Sequence, residues 1–355
     1  MLRDFLDFND LTVEEWEHIF NLAGDIYDNP DKYTERCKNK ILATLFYEPS
    51  TRTQLSFQSA MQRLGGGVIG FSGTAGSSVE KGESLKDTMK MVSHYADVIA
   101  IRHPRDGSAF AASLYSDVPV INAGDGSHLH PTQTLLDLFT IGRYKKFTGL
   151  NIGVCGDLLH GRTVHSLLRA FSLYSGNTFY LISSPDFKMP VKYLENLKTD
   201  NEIFVHEKIA DCLSELDIIY MTRLQKERIS SWAEAIFDKS TGKILVLDKA
   251  KLANAKKDLL IMHPLPRNQE ISVDVDDDER AVYFKQAGFG LYIRMALLII
   301  LLENKIPQAV QAKSKSNGKC ENQNCIINDR NDTSHMPQLI KSDGSCAYCG
   351  QYSIV

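Results

Sequence analysis

No stretch of this 355-residue chain stays apolar for long. The longest such run, Met295 to Leu302, falls far short of the roughly 20 residues that a bilayer-spanning helix needs, so no membrane span is expected. A surplus of charge is lacking too: 40 Lys and Arg against 44 Asp and Glu leave a net −4. That is too little for a field that would gather nucleic acid or an acidic membrane, so any anionic ligand must be drawn by local basic residues. The N-terminus is acidic and amphipathic and has no apolar signal-peptide core, which points to a cytoplasmic protein. Cysteine is sparse over most of the chain. Cys37, Cys155 and Cys212 are scattered, and the other four of the seven lie beyond residue 319. Such crowding argues for a local metal site and against a disulfide framework. What remains, 43% apolar and 24% charged residues, is the composition of a soluble globular protein, with length for two ordinary domains and a remainder.

Within that body, one stretch organises the rest. Ile41-Leu42-Ala43-Thr44-Leu45-Phe46 is a short apolar run that reads as a buried strand. Phe57, Ala60, Met61 and Leu64 then recur at helical spacing, and Gly65-Gly66-Gly67 ends the helix. Ser50-Thr51-Arg52-Thr53 therefore falls at a strand-to-helix turn. Backbone N–H groups are free there and the helix dipole adds positive charge, so three hydroxyls and a guanidinium suit a phosphate. The turn alone also allows a plainer reading, in which Ser50 or Thr51 caps the helix and Arg52 is a surface charge.

Ser50-Thr51-Arg52-Thr53 resembles the phosphate-binding signature of the aspartate and ornithine carbamoyltransferases. The resemblance implies two doubly wound parallel α/β domains with the active site in the cleft between them. It adds Ser77 and Lys81, in a polar loop that would otherwise pass for a surface connection. In the aspartate enzymes these positions enter a neighbouring subunit's site, which implies a homotrimer with shared active sites. Arg102 stands at the end of the strand Asp97-Val98-Ile99-Ala100-Ile101, where ligands of parallel sheets gather. His130-Pro131-Thr132-Gln133 opens a helix and matches the family's His-Pro-x-Gln motif, so His130 and Gln133 are expected to donate hydrogen bonds into the same cleft.

A second α/β series begins at Asn151-Ile152-Gly153-Val154-Cys155. Gly156-Asp157-Leu158-Leu159-His160-Gly161-Arg162-Thr163 comes close to the phosphate loop of ATPases, with Ile244-Leu245-Val246-Leu247-Asp248 mimicking its metal-holding strand. Arg162 stands where that loop needs a compact Lys, which counts against an ATPase. The resemblance gives Arg162 a carboxylate of aspartate instead, joined by Arg223 and Gln225, which alternate on an extended segment. Met262-His263-Pro264-Leu265-Pro266-Arg267 is the aspartate-type form; ornithine-type enzymes carry Cys-Leu-Pro there. The carbonyl of Leu265 would hold the carbamoyl amide, aimed by a cis bond in this Pro-flanked segment. The acidic run Asp274 to Glu279 reads as a solvated loop. The likeness covers residues 1 to about 307.

The expected domains are 1–147 for carbamoyl phosphate, with a helix 291–305 returning to it, and 148–290 for aspartate. A linker, 311–319, leads to a module at 320–355 with Cys320, Cys325, Cys346 and Cys349. So small a module needs a staple, and four thiolates on one structural Zn2+ would supply it; disulfides or unrelated thiols are the alternative. The module lacks the basic patch of a nucleic-acid binder. It resembles the zinc domain of the regulatory chain of aspartate carbamoyltransferase, fused here without the nucleotide-binding domain. A nine-residue flexible linker reaches about 15–18 Å, enough to dock on its own trimer or on a second one. No catalytic cofactor is expected. The activity implied is carbamoyl transfer to L-aspartate, an early step of de novo pyrimidine biosynthesis. Arg52, Thr53, Arg102, His130 and Lys81 would be catalytic, and Ser50, Thr51, Ser77, Gln133, Arg162, Arg223, Gln225 and Leu265 would complete substrate binding. The alternatives are a silent scaffold or another carbamoyltransferase.

Overall fold

The computed structural model describes residues 3–8, 11–76, 78–195, 197, 200–223, 245–303, 320–332, 334–341 and 343–351. The expected linker, Ser77 and Gln225 lie outside the described residues. The chain divides into two units, 1–132 with 290–355, and 133–289.

The first unit opens with α1 (Val13–Asp28), whose Thr12 and Glu15 form a reciprocal capping box. Its parallel sheet runs β2-β1-β3-β4, from β1 (Ile41–Phe46), β2 (Gly67–Ser72), β3 (Val98–His103) and β4 (Val120–Asp125). β1 pairs with β2 on one side and β3 on the other, so chain order reverses between β1 and β3. β1 and β3 are almost wholly buried, which is why they read as unbroken apolar runs. Helices α2 (Thr51–Arg63), α3 (Leu85–Val92) and α4 (Ser108–Tyr115) connect the strands. The sequence carries α3 on to Ala96, but the helix stops at Val92 and Ser93 closes it. The sequence offers no sign of α4, since its small and apolar residues are buried all round and leave no amphipathic stripe.

The second unit has the parallel order β7-β6-β5-β8-β9, from β5 (Asn151–Cys155), β6 (Thr178–Ile182), β7 (Glu202–His206), β8 (Ile218–Met221) and β9 (Leu260–Met262). Order reverses here between β5 and β8. Both sheets are thus doubly wound. Helix α5 (Pro131–Tyr144) begins just before the cut between the units, and α6 (Arg162–Phe171) follows β5.

The sequence reads as a helix that ends near Ala287 and a second that begins at Leu291, but the structure has a single helix, Tyr283–Glu303. Gly288 and Gly290 cost about 1 kcal/mol each relative to Ala, which burial outweighs. By length and composition this helix could cross a membrane, yet 67% of its apolar window is buried in the protein, as in a core helix. The ATPase-like stretch contributes no strand among the described residues. Leu247 makes only an isolated bridge to Ile271, and Asp248 is engaged in capping a one-turn helix through Lys251 N at 2.8 Å. The acidic run is not simply solvated: Asp276 pairs with Arg267, and Asp278 with Arg280.

The cysteine module packs on the first unit of its own chain. Ile326, Ile327, Met336, Leu339 and Tyr348 share one apolar core with Leu85, Met89, Ala111 and Ala112.

Candidate active site

Ligands of open parallel sheets bind beyond the carboxyl ends of the strands, where strand order reverses. In the first unit that point lies between β1 and β3. The turn after β1 is locked onto β3: Tyr47 N donates to the Arg102 carbonyl at 2.8 Å. Ser50 takes the N-cap position of α2, yet its side chain makes no capping bond. Its hydroxyl instead donates to Thr53 Oγ1 at 3.1 Å. The Ser50 side chain therefore does not cap this helix. Thr51 and Arg52 are exposed, and Thr53 is buried.

Arg102 lies within β3, one strand away. Its Nε is 3.5 Å from Glu48 Oε2, and NH1 lies 3.5 Å from the Ala123 carbonyl. An incoming anion would compete with Glu48 for this guanidinium. His130 is buried, with Thr132 Oγ1 3.5 Å from its Nδ1. Neighbouring His103 is structural: burial lowers its pKa to about 4, and Nδ1 accepts from Arg105 N at 3.0 Å. Lys81 ends the one-turn helix Ser78–Lys81 and is exposed.

The second unit repeats the logic. β5 leads to Gly161 and the first helical residue of α6, Arg162, which is buried. β8 leads to Arg223, just beyond its end. The strand order thus brings the segments carrying Arg162 and Arg223 to the same crevice of that sheet.

Sequence reasoning missed the network that supports Gln133 and Leu265. Asp137 is fully buried and accepts from Gln133 Nε2 at 2.8 Å, Gln286 Nε2 at 2.6 Å and Tyr220 OH at 2.8 Å. Burial pushes its carboxyl up to about 7, while the three donors pull it back. The Gln133 amide N–H is thus taken up by Asp137. Gln286 passes the constraint on, accepting from His263 N at 3.0 Å. His263 Nδ1 accepts from Leu265 N at 2.8 Å, so the ring proton is on Nε2 and goes to Glu270, 2.8 Å away. Burial, above all, lowers the His263 pKa, in keeping with a neutral ring. Leu265 is held at φ 54° and precedes a cis bond to Pro266. The signal was in the sequence: Asp137 is a lone carboxylate among Leu135, Leu136, Leu138 and Phe139, one helical turn after Gln133.

The four thiols Cys320, Cys325, Cys346 and Cys349 are buried, unbridged, and lie within 4.8 Å of one another. Cys320 and Cys349 Sγ are 3.6 Å apart, and Cys325 and Cys346 Sγ 3.9 Å. Tetrahedral zinc with bonds of about 2.3 Å requires about 3.8 Å between sulfurs, and a disulfide about 2 Å. The donor set fits a metal ion and not a pair of disulfides.

Family comparison agrees with this geometry. Residues 3–143 match the aspartate/ornithine carbamoyltransferase carbamoyl-P binding domain, and 148–301 match the Asp/Orn binding domain of the same family. The chain belongs to the aspartate/ornithine carbamoyltransferase family. Among this carbamoyltransferase's relatives, the aspartate carbamoyltransferase catalytic subunit of Clostridium novyi is 56% identical over 84% of this chain and 98% of its own. That of Clostridium acetobutylicum is 52% identical over the same shares. The catalytic subunit of M. jannaschii aspartate transcarbamoylase superposes with a TM-score of 0.80 at 44% identity, over 86% of this chain and 99% of its own. Trypanosoma cruzi aspartate transcarbamoylase, solved with carbamoyl phosphate and aspartate, gives 0.78 at 36% identity, over 84% and 96%.

Proposed function

We propose that this carbamoyltransferase moves the carbamoyl group of carbamoyl phosphate to the amine of L-aspartate, giving N-carbamoyl-L-aspartate and phosphate, an early step of de novo pyrimidine biosynthesis. The uncapped N-terminus of α2 carries this reading, because a helix end with hydroxyls and Arg52 but no capping bond is built for an anion. Ser50, Thr51, Arg52 and Thr53 hold the phosphate, and Arg52 meets the charge growing on it as it leaves. Arg102, His130 and Thr53 polarise the carbonyl and stabilise the oxyanion. Gln133 and the Leu265 carbonyl hold the carbamoyl amide. A C–N bond forms, the C–O bond to phosphate breaks, and the departing phosphate takes the proton of the attacking amine. Catalysis is orientation plus electrostatics.

Arg162, Arg223 and Gln225 bind the carboxylates of aspartate. Ornithine would need an acidic partner for its amine, so two guanidiniums at the second reversal point favour aspartate. Ser77 and Lys81 act on a neighbouring subunit's site in a homotrimer, a reading supported by the exposure of Lys81, which makes no ion pair among the described residues. One structural zinc per chain sits among the four thiolates, which suits a reducing cytoplasm. The test measures carbamoyl aspartate formation, with ornithine as control acceptor. Transfer to ornithine but not to aspartate would overturn the assignment.

A further inference from the structure

The cysteine module does more than cover an apolar face. Asp332, buried, accepts a hydrogen bond from Leu85 N at 2.8 Å. Leu85 is the first residue of α3, and Ser84 Oγ takes Asp87 N at 3.2 Å. Two of the four N–H groups that a helix start leaves open are thus held, one from within the helix and one from the module. Leu85 lies four residues beyond Lys81.

A second attachment converges on Asp106. Its N donates to the Asn324 carbonyl at 3.0 Å, and its own carbonyl accepts from Ile326 N at 3.0 Å. Its carboxylate accepts from Asn322 Nδ2 at 3.0 Å and Asn324 Nδ2 at 2.9 Å in the module. The same carboxylate accepts from Ser127 N at 2.9 Å. Asp125 ties the other side of that turn, accepting from Gly107 N at 2.8 Å and Leu129 N at 3.1 Å. His130 follows Leu129 directly.

The fit leaves no slack. Gly107 has φ +78°, and a Cβ there would lie 2.5 Å from the Tyr348 carbonyl. Gly126 has φ +47°, and its Cβ would lie 1.9 Å from Asp106 Oδ1. Arg105 Nε pairs with Asp329 at 2.9 Å, and Phe110 meets Tyr348 edge-on at 5.3 Å. Asp329 and Asp332 lie between Cys325 and Cys346 in the sequence.

We propose that the cysteine module is a strut for the catalytic segments of its own chain: Asp332 fixes the segment bearing Lys81, which serves a neighbouring subunit's site, and the Asn322–Asp106–Asn324 attachment fixes the turn that leads to His130. This rests on the carbamoyltransferase reading. Asp332 is a positioning residue, acting through α3.

The test uses the full zinc-loaded chain as wild type, Asp332→Ala and Asp332→Asn. Zinc content, kcat and KM are measured, with amide hydrogen exchange over residues 79–88 and 124–130. Loss of the acceptor in Asp332→Ala should speed exchange around Leu85 about tenfold and lower kcat severalfold, with zinc retained. Asp332→Asn keeps an oxygen acceptor and should restore both. Unchanged exchange in Asp332→Ala, faster exchange with unchanged kcat, or an Asn variant as impaired as Ala would each overturn the strut. Should Asp332→Ala lose its zinc, Asn324→Ala must instead loosen residues 124–130 and lower kcat, and no change in either would overturn it. A wild type that shows the exchange coupling but transfers no carbamoyl group to aspartate would overturn the carbamoyltransferase reading alone.

Discussion

Asp137→Asn gives a quantitative test of the buried network. Gln133 and Gln286 both donate to Oδ1, and Tyr220 donates to Oδ2. Asn keeps the first oxygen, and its amide can donate to a Tyr220 hydroxyl that turns, so the shape survives while the titration disappears. In the wild type the carboxyl is raised from 3.8 to about 7, chiefly by burial. A carboxyl whose folded pKa exceeds its unfolded one binds its proton more tightly when folded. Its contribution to stability is therefore complete below about pH 4 and is lost as pH rises through about 7. A rise of that size corresponds to about 4 kcal/mol in all, more than half of which falls between pH 5 and 8. Urea unfolding of both proteins, followed by circular dichroism at pH 5 and pH 8 and at one protein concentration, isolates this contribution. The stability of Asp137→Asn relative to wild type should rise by roughly 2–3 kcal/mol over that interval. Parallel pH profiles for the two proteins would refute the reasoning.

Arg52→Ala should lower kcat about 10²–10³-fold with little change in the KM for aspartate, because Arg52 meets charge that develops in the transition state; steady-state kinetics with a raised KM and near-normal kcat would refute that role. Lys81→Ala and Arg52→Ala chains should each be nearly inactive alone but regain activity when mixed and reassembled, since some sites in hybrid trimers hold every group intact. Verified hybrids without activity would exclude sharing. Elemental analysis should find about one zinc per chain, and Cys346→Ala should lose the metal and lower the melting temperature. Metal-free protein with two disulfides would exclude the zinc site.

Most of the first half-site was legible because its determinants are local. The strand Ile41–Phe46, the turn at Ser50 and the helix from Thr51 are neighbours in sequence, and each carries its own signal of apolar run, small polar residues or helical period. The same holds for β5 and for the crowding of the four cysteines, which points to a local metal site, and the structure brings those four thiols together. The split long helix was misread for a local reason as well, since its two glycines look like an end until burial is counted.

Tertiary structure alone decided three things. The strand orders put the reversal points between β1 and β3 and between β5 and β8, and no residue pattern announces which parallel strands will be neighbours. The Asp137 network joins Tyr220 and Gln286 to one carboxylate across 83 and 149 residues, and such partners are found only when packing leaves a buried charge no other donors. The seat of the cysteine module was open because the number of residues between it and the long helix limits reach but not direction. What fixed it was complementarity: two glycines without side chains at Gly107 and Gly126, and carboxylates at Asp106 and Asp332 that accept hydrogen bonds across the contact.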